Sequence, residues 1–241
     1  MFDTIILLTG SRDQQLALSE LLRAHNPALA FRGAVSLPEL EAIEQDVLGR
    51  SRLIAFTTGV IVPSEILAAV GHGAYNFHPG PPNYAGWAPA HFAMYDGAES
   101  FGATAHVMEP RVDCGAIIGT ETFDIPNGVD VRGLEQMTFV RTAYLFWRMS
   151  RDLACHARPL PVLPIAWSGI KSTRQMYARM CDMAADIDPA EMMRRVRAFH
   201  DDFRGIPLTI TLHGMRFQLA CTTAQAAEPA TVEAPALAMA S

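Results

Sequence analysis

The chain has 241 residues, of which 50% are apolar and 18% are charged, which is enough for one sizeable domain with an appendage or two compact lobes. Its net charge of −6 argues against a protein that wraps a nucleic-acid backbone, because that binding depends on clustered lysine and arginine. The N-terminus lacks a basic leader, no apolar stretch reaches the roughly 18 residues that span a bilayer, and the four cysteines lack CxxC spacing, so we expect a cytoplasmic protein with free thiols.

Strands alternate with helices over the first half of the chain. Residues 5–8 form a short apolar run typical of a buried strand, and Ser11 and Gln14 stand at capping-box spacing before a helix. Further strands are predicted at 53–56 and 74–77, and further helices at 63–70 and 89–95. This alternation predicts an α/β fold, with a mostly parallel sheet covered by helices on both faces. Neither GxGxxG nor GxxxxGK[ST] occurs, so the usual phosphate loops are absent.

The second half has a different pattern. Strands are predicted at 102–108 and 116–120, a long helix at about 130–156, an extended proline-rich segment at 158–164, helices near 173–183 and 189–203, and a hairpin of 208–212 with 216–220. We therefore expect a main domain over residues 1–164 and a small C-terminal α+β lobe over 165–221. The last segment, 222–241, is rich in Ala, Pro and Thr and is predicted to be a disordered tail.

Two polar residues stand at the end of the strand predicted at 74–77. Because alternate strand residues share a face, Asn76 and His78 point to the same side, and Pro79 ends the strand where α/β sheets bind ligands. An amide and an imidazole aimed at one spot can hydrogen-bond a carbonyl oxygen and shuttle a proton, as acyl transfer to an amine requires. A nearby carboxylate such as Asp113 would raise the pKa of His78 and orient it. Spacing alone leaves open that Asp113 is only a turn residue.

Residues 53–120 carry a series of Asn, His, Gly, Pro and Asp positions in a particular order. The series comprises Asn76-x-His78-Pro79, Gly86, Pro89, Gly97, residues 102–108 and Asp113-x-Gly115-x-Ile117-Ile118. In order and spacing it resembles the folate-dependent formyltransferase family. The resemblance implies a Rossmann-like catalytic domain, 10-formyltetrahydrofolate as co-substrate, and catalytic roles for Asn76, His78 and Asp113.

The resemblance also implies where the two substrates lie. The pterin of the folate would contact Gly59, Val60, Ile61, Val62 and Asp113. Trp87 and Tyr84 are candidate residues for binding the acceptor. The alternatives are an ordinary strand-to-helix loop at 59–62, which is less favoured than pterin contact, and plain aromatic packing of Trp87.

Four histidines lie close together in the sequence, namely His72, His78, His91 and His106. Their spacings match no common ligand set, and no Cys or Asp/Glu pair completes one, so we expect no metal site. By the family pattern, His106 is a structural or supporting residue.

Two departures from the family bear on the acceptor. Gly80-Pro81-Pro82-Asn83 replaces a frequent Ser-Leu-Leu-Pro, and Ala85 stands where many relatives have arginine, which puts an anionic contact at that point in doubt. In contrast, Gly86, Trp87 and Pro89 resemble the sugar N-formyltransferase branch. The resemblance therefore favours a small-molecule amine as acceptor, in particular an amino sugar carried on a nucleotide.

The sequence leaves several related functions open. A methionyl-tRNA formyltransferase is less favoured, because positive charge is low and little chain follows Pro164 for RNA binding. Glycinamide ribonucleotide as acceptor, a formyltetrahydrofolate hydrolase and a non-catalytic folate-binding module are also compatible with the motifs. We expect no membrane partner, and a homodimer is possible through the long helix and the hairpin.

Overall fold

The computed structural model describes residues 2–168, 171–200 and 202–220. The strands are β1 Thr4–Thr9, β2 Ala30–Ala34, β3 Ser51–Phe56, β4 Ala74–His78, β5 Ala85–Gly86, β6 Ser100–Val107, β7 Ile117–Asp124, β8 Lys171–Ser172, β9 Asp182–Met183, β10 Thr209–Leu212 and β11 Met215–Gln218. The helices are α1 Arg12–His25, α2 Leu37–Glu41, α3 Gln45–Arg50, α4 Ser64–Ala69, α5 Pro89–Asp96, α6 Val131–Cys155, α7 Arg174–Cys181 and α8 Pro189–Phe199, followed by a 3-10 turn at Asp202–Arg204. The tail predicted at 222–241 lies outside the described residues.

A six-stranded sheet in the order β2-β1-β3-β4-β6-β7 forms the centre of the molecule. Strands β1 to β4 are parallel, whereas β6 runs antiparallel to β4 and β7 antiparallel to β6. Every residue of β1 and β3 is buried, because α1 and α6 cover one face of the sheet and α2, α3 and α4 cover the other. The predicted α/β fold, with a mostly parallel sheet and helices on both faces, is confirmed.

The ends of the predicted helices follow from local hydrogen bonds. Ser11 accepts a hydrogen bond from the Gln14 amide at 3.3 Å, and the Gln14 side chain in turn accepts one from the Gly10 amide at 3.0 Å. The 25-residue helix α6 begins after Asp130, whose side chain accepts a hydrogen bond from the Gly133 amide at 2.7 Å. Ser11 and Asp130, the polar residues at the predicted helix starts, are therefore the N-caps of these helices.

A buried arginine closes the other end of α6. Arg52 on β3 is 0% exposed, and its guanidinium donates to the carbonyls of Leu153, His156 and Arg158, while its Nε donates to His72. The last carbonyls of a helix have no partner within the helix, so Arg52 satisfies them and ties α6 to the sheet. The cation is thus compensated by main-chain oxygens.

The C-terminal part packs on the main sheet through a cluster of apolar side chains. Helices α7 and α8 bury Tyr177, Cys181 and Phe199 against α5 and the first turns of α6. Beyond them, β9, β10 and β11 form a small sheet. The predicted hairpin is present, and His213 and Gly214 at its turn both have positive φ, 50° and 78°, as a tight two-residue hairpin turn requires. Within the described part of the chain, no helix is both long and apolar enough to cross a membrane.

Candidate active site

The end of β4 opens into a cavity of about 430 Å³. Asn76 and His78 lie on the same face of the strand, and both line this cavity, as the alternation of strand residues predicts. The loop after β3 supplies another wall, made of Gly59, Val60, Ile61 and Val62. Asp113 and Trp87 complete the set of predicted site residues that line it.

Asp113 reaches the cavity from the turn between β6 and β7. Its backbone has a φ of +48°, a left-handed conformation that non-glycine residues seldom adopt, and its side chain is buried. Three contacts hold this turn. The Gly86 amide donates to Asp113 Oδ2 at 2.9 Å, Lys171 Nζ donates to the Val112 carbonyl at 2.9 Å, and Trp167 Nε1 donates to the Gly115 carbonyl at 2.8 Å.

His78 lies between two oxygen acceptors. Its Nε2 is 3.0 Å from the Tyr84 carbonyl, and its Nδ1 is 3.5 Å from Asp113 Oδ2. A neutral imidazole can donate to only one of these oxygens, whereas the protonated ring can donate to both. The ring is therefore placed to accept a proton.

Asp113 raises the pKa of His78, as expected, but the net shift of this pKa is downward. Burial lowers the pKa of His78 below its ordinary value of 6.5, and the attraction of Asp113 offsets only part of that effect. The resting ring is consequently neutral at pH 7. The sequence identified the carboxylate that favours the cation, but it could not show that the ring loses nearly all of its contact with water.

His106 on β6 connects the two halves of the site. Its Nδ1 donates to the Val107 carbonyl at 2.8 Å, so its Nε2 is free to accept a hydrogen bond from Asn76 Nδ2, which is 3.1 Å away. This bond fixes the amide of Asn76. The supporting role expected for His106 is consistent with this position.

One oxygen of Asp113 remains open. Oδ1 is buried and accepts no hydrogen bond within the part of the chain that the structure describes, although His106 Nε2 lies 3.3 Å away. Burial alone would raise the pKa of Asp113, but His78, His106 and the Gly86 amide outweigh it and lower the pKa to about 2. The group is therefore a carboxylate at neutral pH, and a buried carboxylate oxygen of this kind calls for a donor from a ligand.

Several contributors to the site, among them Trp167 and Ser172, were not identified from the sequence. The ring of Trp167 lies edge-on to His106 and His78, with centroids 5.1 and 6.0 Å away, and so covers both imidazoles. The Trp87 amide donates a hydrogen bond to the Ser172 carbonyl on β8 at 3.0 Å, next to the short pairing of β5 with β8. For Trp167 the sequence shows only an isolated tryptophan after a proline-rich segment. Strands of two residues, such as β5 and β8, are too short to show an alternation of apolar and polar residues.

The two departures from the family pattern have structural consequences. A Cβ atom on Gly80 would lie 2.6 Å from His78 Nε2 and 3.0 Å from Pro89 Cβ, so glycine leaves room for the imidazole. Ala85 is buried in β5, where it pairs with Lys171 of β8. A small side chain at this position fits the close approach of the two strands.

The two candidate acceptor residues take different positions. Trp87 lines the cavity and packs edge-on against Tyr177, with ring centroids 4.9 Å apart. Tyr84 instead directs its hydroxyl to Asp96 at 3.1 Å, which together with burial raises its pKa to about 12. Only the backbone carbonyl of Tyr84 reaches the site, so its side chain is not placed for the binding role expected from the sequence.

The arrangement combines three chemical capabilities. Asn76 can offer its other amide hydrogen to an oxygen, His78 can take up and release a proton, and Asp113 can accept an N–H at its open oxygen. These are the requirements for attack of an amine on an acyl carbon. Within the described residues, no group of His, Cys, Asp and Glu is arranged to hold a metal ion.

Comparisons with known proteins agree with this chemistry. A sequence profile described as "Formyl transferase" matches residues 6–141. A methionyl-tRNA formyltransferase of Listeria monocytogenes is 32% identical over 122 residues, which are 50% of this chain and 37% of that protein. The chain thus spans little more than a third of the length of the curated relatives that it matches.

Solved structures share the fold over most of the chain. The sugar N-formyltransferase from Shewanella sp FDAARGOS_354 is similar with a TM-score of 0.73 and 16% identity, covering 91% of this chain and 97% of that one. An N-formyltransferase from Helicobacter canadensis, solved with folinic acid and dTDP-3-aminofucose, is similar with a TM-score of 0.58 and 16% identity, covering 89% of this chain and 85% of that one. At these identities the likeness concerns the fold.

Proposed function

The chain belongs to the formyl transferase family, and on that premise we propose that it is an enzyme that moves a formyl group from 10-formyltetrahydrofolate to an amine. The observation that carries the proposal is the buried Asp113 carboxylate, which has one oxygen 3.5 Å from His78 and the other without a donor among the described residues. Asn76 lines the same cavity. Catalytic roles for these three residues are part of the proposal.

The cavity suits the proposed donor. Its volume of about 430 Å³ lies within the range of small-molecule sites. The loop residues Gly59, Val60, Ile61 and Val62 offer backbone groups to the edge of a flat pterin ring. Asp113 and His78 line the same cavity as this loop, so a ligand held by the loop could bring its reactive end to His78.

The proposed reaction begins with attack of a neutral amine on the formyl carbon. The new carbon–nitrogen bond produces a tetrahedral intermediate with a negative oxygen, and an amide donor such as Asn76 stabilises such an oxyanion by roughly 3 kcal/mol. Asp113 Oδ1 orients the amine by accepting one of its N–H groups. Bringing two substrates together in one cavity supplies the other large part of the acceleration.

The proton released by the amine is then taken up by the Asp113–His78 pair. Uptake converts neutral His78 into an imidazolium, which can donate to both the Tyr84 carbonyl and Asp113. When the bond between the formyl carbon and the folate nitrogen breaks, the Asp113–His78 pair returns the proton to that nitrogen. Electrons and protons balance without a covalent enzyme intermediate, and tetrahydrofolate and a formamide are the products.

As acceptor we propose an amino sugar carried on a nucleotide. The sugar N-formyltransferase from Shewanella is matched over 97% of its length, and the structure from Helicobacter canadensis contains dTDP-3-aminofucose. The net charge of −6 also suits a small acceptor better than a large polyanion. Trp87 lines the cavity and is the residue that we propose to contact this acceptor.

Methionyl-tRNA is the second candidate acceptor, because the curated relatives are methionyl-tRNA formyltransferases with 32% identity over the matched 122 residues. A direct competition separates the two. The protein is mixed with 10-formyltetrahydrofolate and either a panel of amino-sugar nucleotides or methionyl-tRNA, and release of tetrahydrofolate is followed. Transfer to tRNA alone would replace the sugar proposal.

The same assay distinguishes a transferase from a hydrolase and from a binding module. Release of formate without any added amine would identify a hydrolase, and transfer to glycinamide ribonucleotide would identify that compound as the acceptor. Folate binding without turnover on any amine would indicate a binding module. If the protein neither binds folate nor transfers a formyl group, the proposed function is wrong.

We also propose residues 1–164 as the catalytic domain and 165–221 as a C-terminal lobe that completes it. The role proposed for the lobe is supported by three residues that follow the boundary and yet contact the site, namely Trp167, Lys171 and Ser172. The homodimer expected from the sequence stays a prediction. Exposed Val140 and Trp147 on α6 are consistent with it, and light scattering of the purified protein would test it.

A further inference from the structure

A second cavity, of about 510 Å³, adjoins the active-site cavity. Thr57, Pro79, Pro89 and Arg204 line both cavities, so the two are contiguous. Neither Asp113 nor the loop at 59–62 lines the second cavity. A ligand in the second cavity could therefore reach the residues shared by the two cavities without contacting Asp113 or this loop.

Two arginines give this second cavity a positive character. Arg132, in the first turn of α6, and Arg204, after α8, both line it, with Glu135 as the acidic residue among the lining side chains. Arg204 pairs with Glu135 in this cavity. Arginine is well suited to phosphate, because its planar fork of donors matches the spacing of phosphate oxygens.

Aromatic rings hold both guanidinium groups in place. The Arg204 guanidinium lies 5.4 Å from the ring centroid of Trp87 and 5.1 Å from that of Phe203, and the Arg132 guanidinium lies 4.9 Å from Phe203. In addition, Arg204 Nε is buried and makes no hydrogen bond within the described residues. Donors fixed in this way lose little freedom when an anion binds, which strengthens binding.

Two partly exposed rings line the same cavity. Phe139 is 42% exposed and Phe203 is 39% exposed, so both rings are accessible to a ligand. An aromatic ring of this kind stacks readily on a nucleobase. Thr57, at the junction of the two cavities, has a φ of +45°, and a β-branched residue in this conformation indicates local constraint.

We propose that the second cavity binds the nucleoside diphosphate part of the acceptor, with the diphosphate on Arg132 and Arg204 and the base against Phe139 and Phe203. This assignment rests on the proposed formyl transfer for its purpose, because it leaves the sugar amine directed towards His78.

The test is a binding measurement that does not depend on turnover. Isothermal titration of the full chain with UDP and with dTDP, without folate, should show binding. Arg204→Gln and Arg132→Gln should each weaken it at least tenfold, as loss of a charge-assisted hydrogen bond predicts. Arg32→Gln, which removes the same charge from an exposed position on β2, is the matched control and should bind normally. Thermal unfolding of each variant checks that it folds.

The base is tested separately. Phe139→Ala should weaken binding of UDP or dTDP about tenfold and leave binding of inorganic pyrophosphate unchanged. Equal weakening of both ligands would overturn the assignment of the base. Absence of any nucleoside diphosphate binding at millimolar concentration, or unchanged binding in both arginine variants, would overturn the site.

Tetrahydrofolate binding to the same variants distinguishes the donor from the acceptor. It should be unchanged in Arg132→Gln, whose side chain lines only the second of the two cavities, and a loss of tetrahydrofolate affinity with normal UDP binding would show that Arg132 holds the folate tail instead. If nucleoside diphosphates bind and the arginine variants lose them while no amine is formylated, the cavity assignment stands and the proposed transfer fails. The two proposals can therefore fail independently.

Discussion

Replacing Gly86 with alanine should disturb the active site through its backbone. Gly86 has a φ of +92°, and a Cβ atom there would lie 2.1 Å from the Ser172 carbonyl oxygen, so β5 and β8 must separate. The Gly86 amide would then leave Asp113 Oδ2, to which it now donates at 2.9 Å. A hydrogen bond to a charged group contributes roughly 1.5–3 kcal/mol, and a side chain in left-handed backbone costs roughly 1–2 kcal/mol.

The free energy of unfolding of Gly86→Ala should therefore fall by about 3 kcal/mol, which for a chain of this size lowers the Tm by roughly 10 °C. Urea unfolding and kcat/KM for formyl transfer measure the two effects, and kcat/KM should also fall because Asp113 loses one of its supports. Gly49→Ala on α3 is the matched control, since its Cβ would meet nothing within 4 Å and alanine favours a helix. If Gly86→Ala unfolds like the wild type and keeps its kcat/KM, the proposed coupling between β8 and Asp113 is refuted.

Four further predictions concern the proton-transfer groups and their cover. His78→Ala should lower kcat by 10² to 10⁴ (about the range of general acid–base catalysis) with little change in thermal unfolding, and retained turnover would remove His78 from the mechanism. Burial lowers the pKa of His78, and the neutral ring must accept the proton, so the fall of kcat/KM at low pH should have its midpoint below pH 6.5. A midpoint above that value would contradict a neutral resting ring. The carboxyl of Asp113 has a pKa lowered from 3.8 to about 2, so it contributes about 2 kcal/mol of stability above pH 4, and this is lost as the pH falls through 2. Asp113→Asn should lack this loss between pH 4 and pH 2 in urea titrations, and an equal loss in both proteins would show that other groups are responsible. Trp167→Ala should lower kcat/KM at least tenfold and move the acid limb of its pH profile to higher pH, because water then reaches His78. Trp167→Phe should restore the position of this limb. An unchanged pH profile in Trp167→Ala would leave Trp167 with a purely structural role.

The strands and helices that could be predicted are those with strong local signals. The apolar runs of β1 and β3 predict buried strands because both faces of the sheet are covered, and Ser11 and Asp130 mark helix starts through hydrogen bonds that they make with nearby amides. Strand β2 could not be predicted because it lies at the sheet edge, where four of its five residues are not buried and no alternation appears. The short α2 and α3 carry too few residues to show a helical period.

Within the active site, too, the features that could be predicted are those that follow from local geometry. Asn76 and His78 could be placed on one face because strand geometry alone dictates it, and their placement at a strand's carboxyl end followed from Pro79. The protonation of His78 could not be predicted, because it depends on the balance between burial and one carboxylate. Trp167 was equally hidden, since its position over the histidines depends on the path of the segment that precedes β8.

The short β5–β8 pairing and the Trp167 contact set a limit on how such enzymes can be recombined. The family match ends at residue 141, yet the Asp113 turn is held by Trp167 and Lys171, which follow it in the chain. A chimera that joins this catalytic region to the C-terminal part of a relative, with the crossover placed at 164, would exchange those supports along with the lobe. A crossover placed after residue 173 would keep the native supports, so we expect chimeras of the second kind to retain activity on the parent acceptor more often than the first.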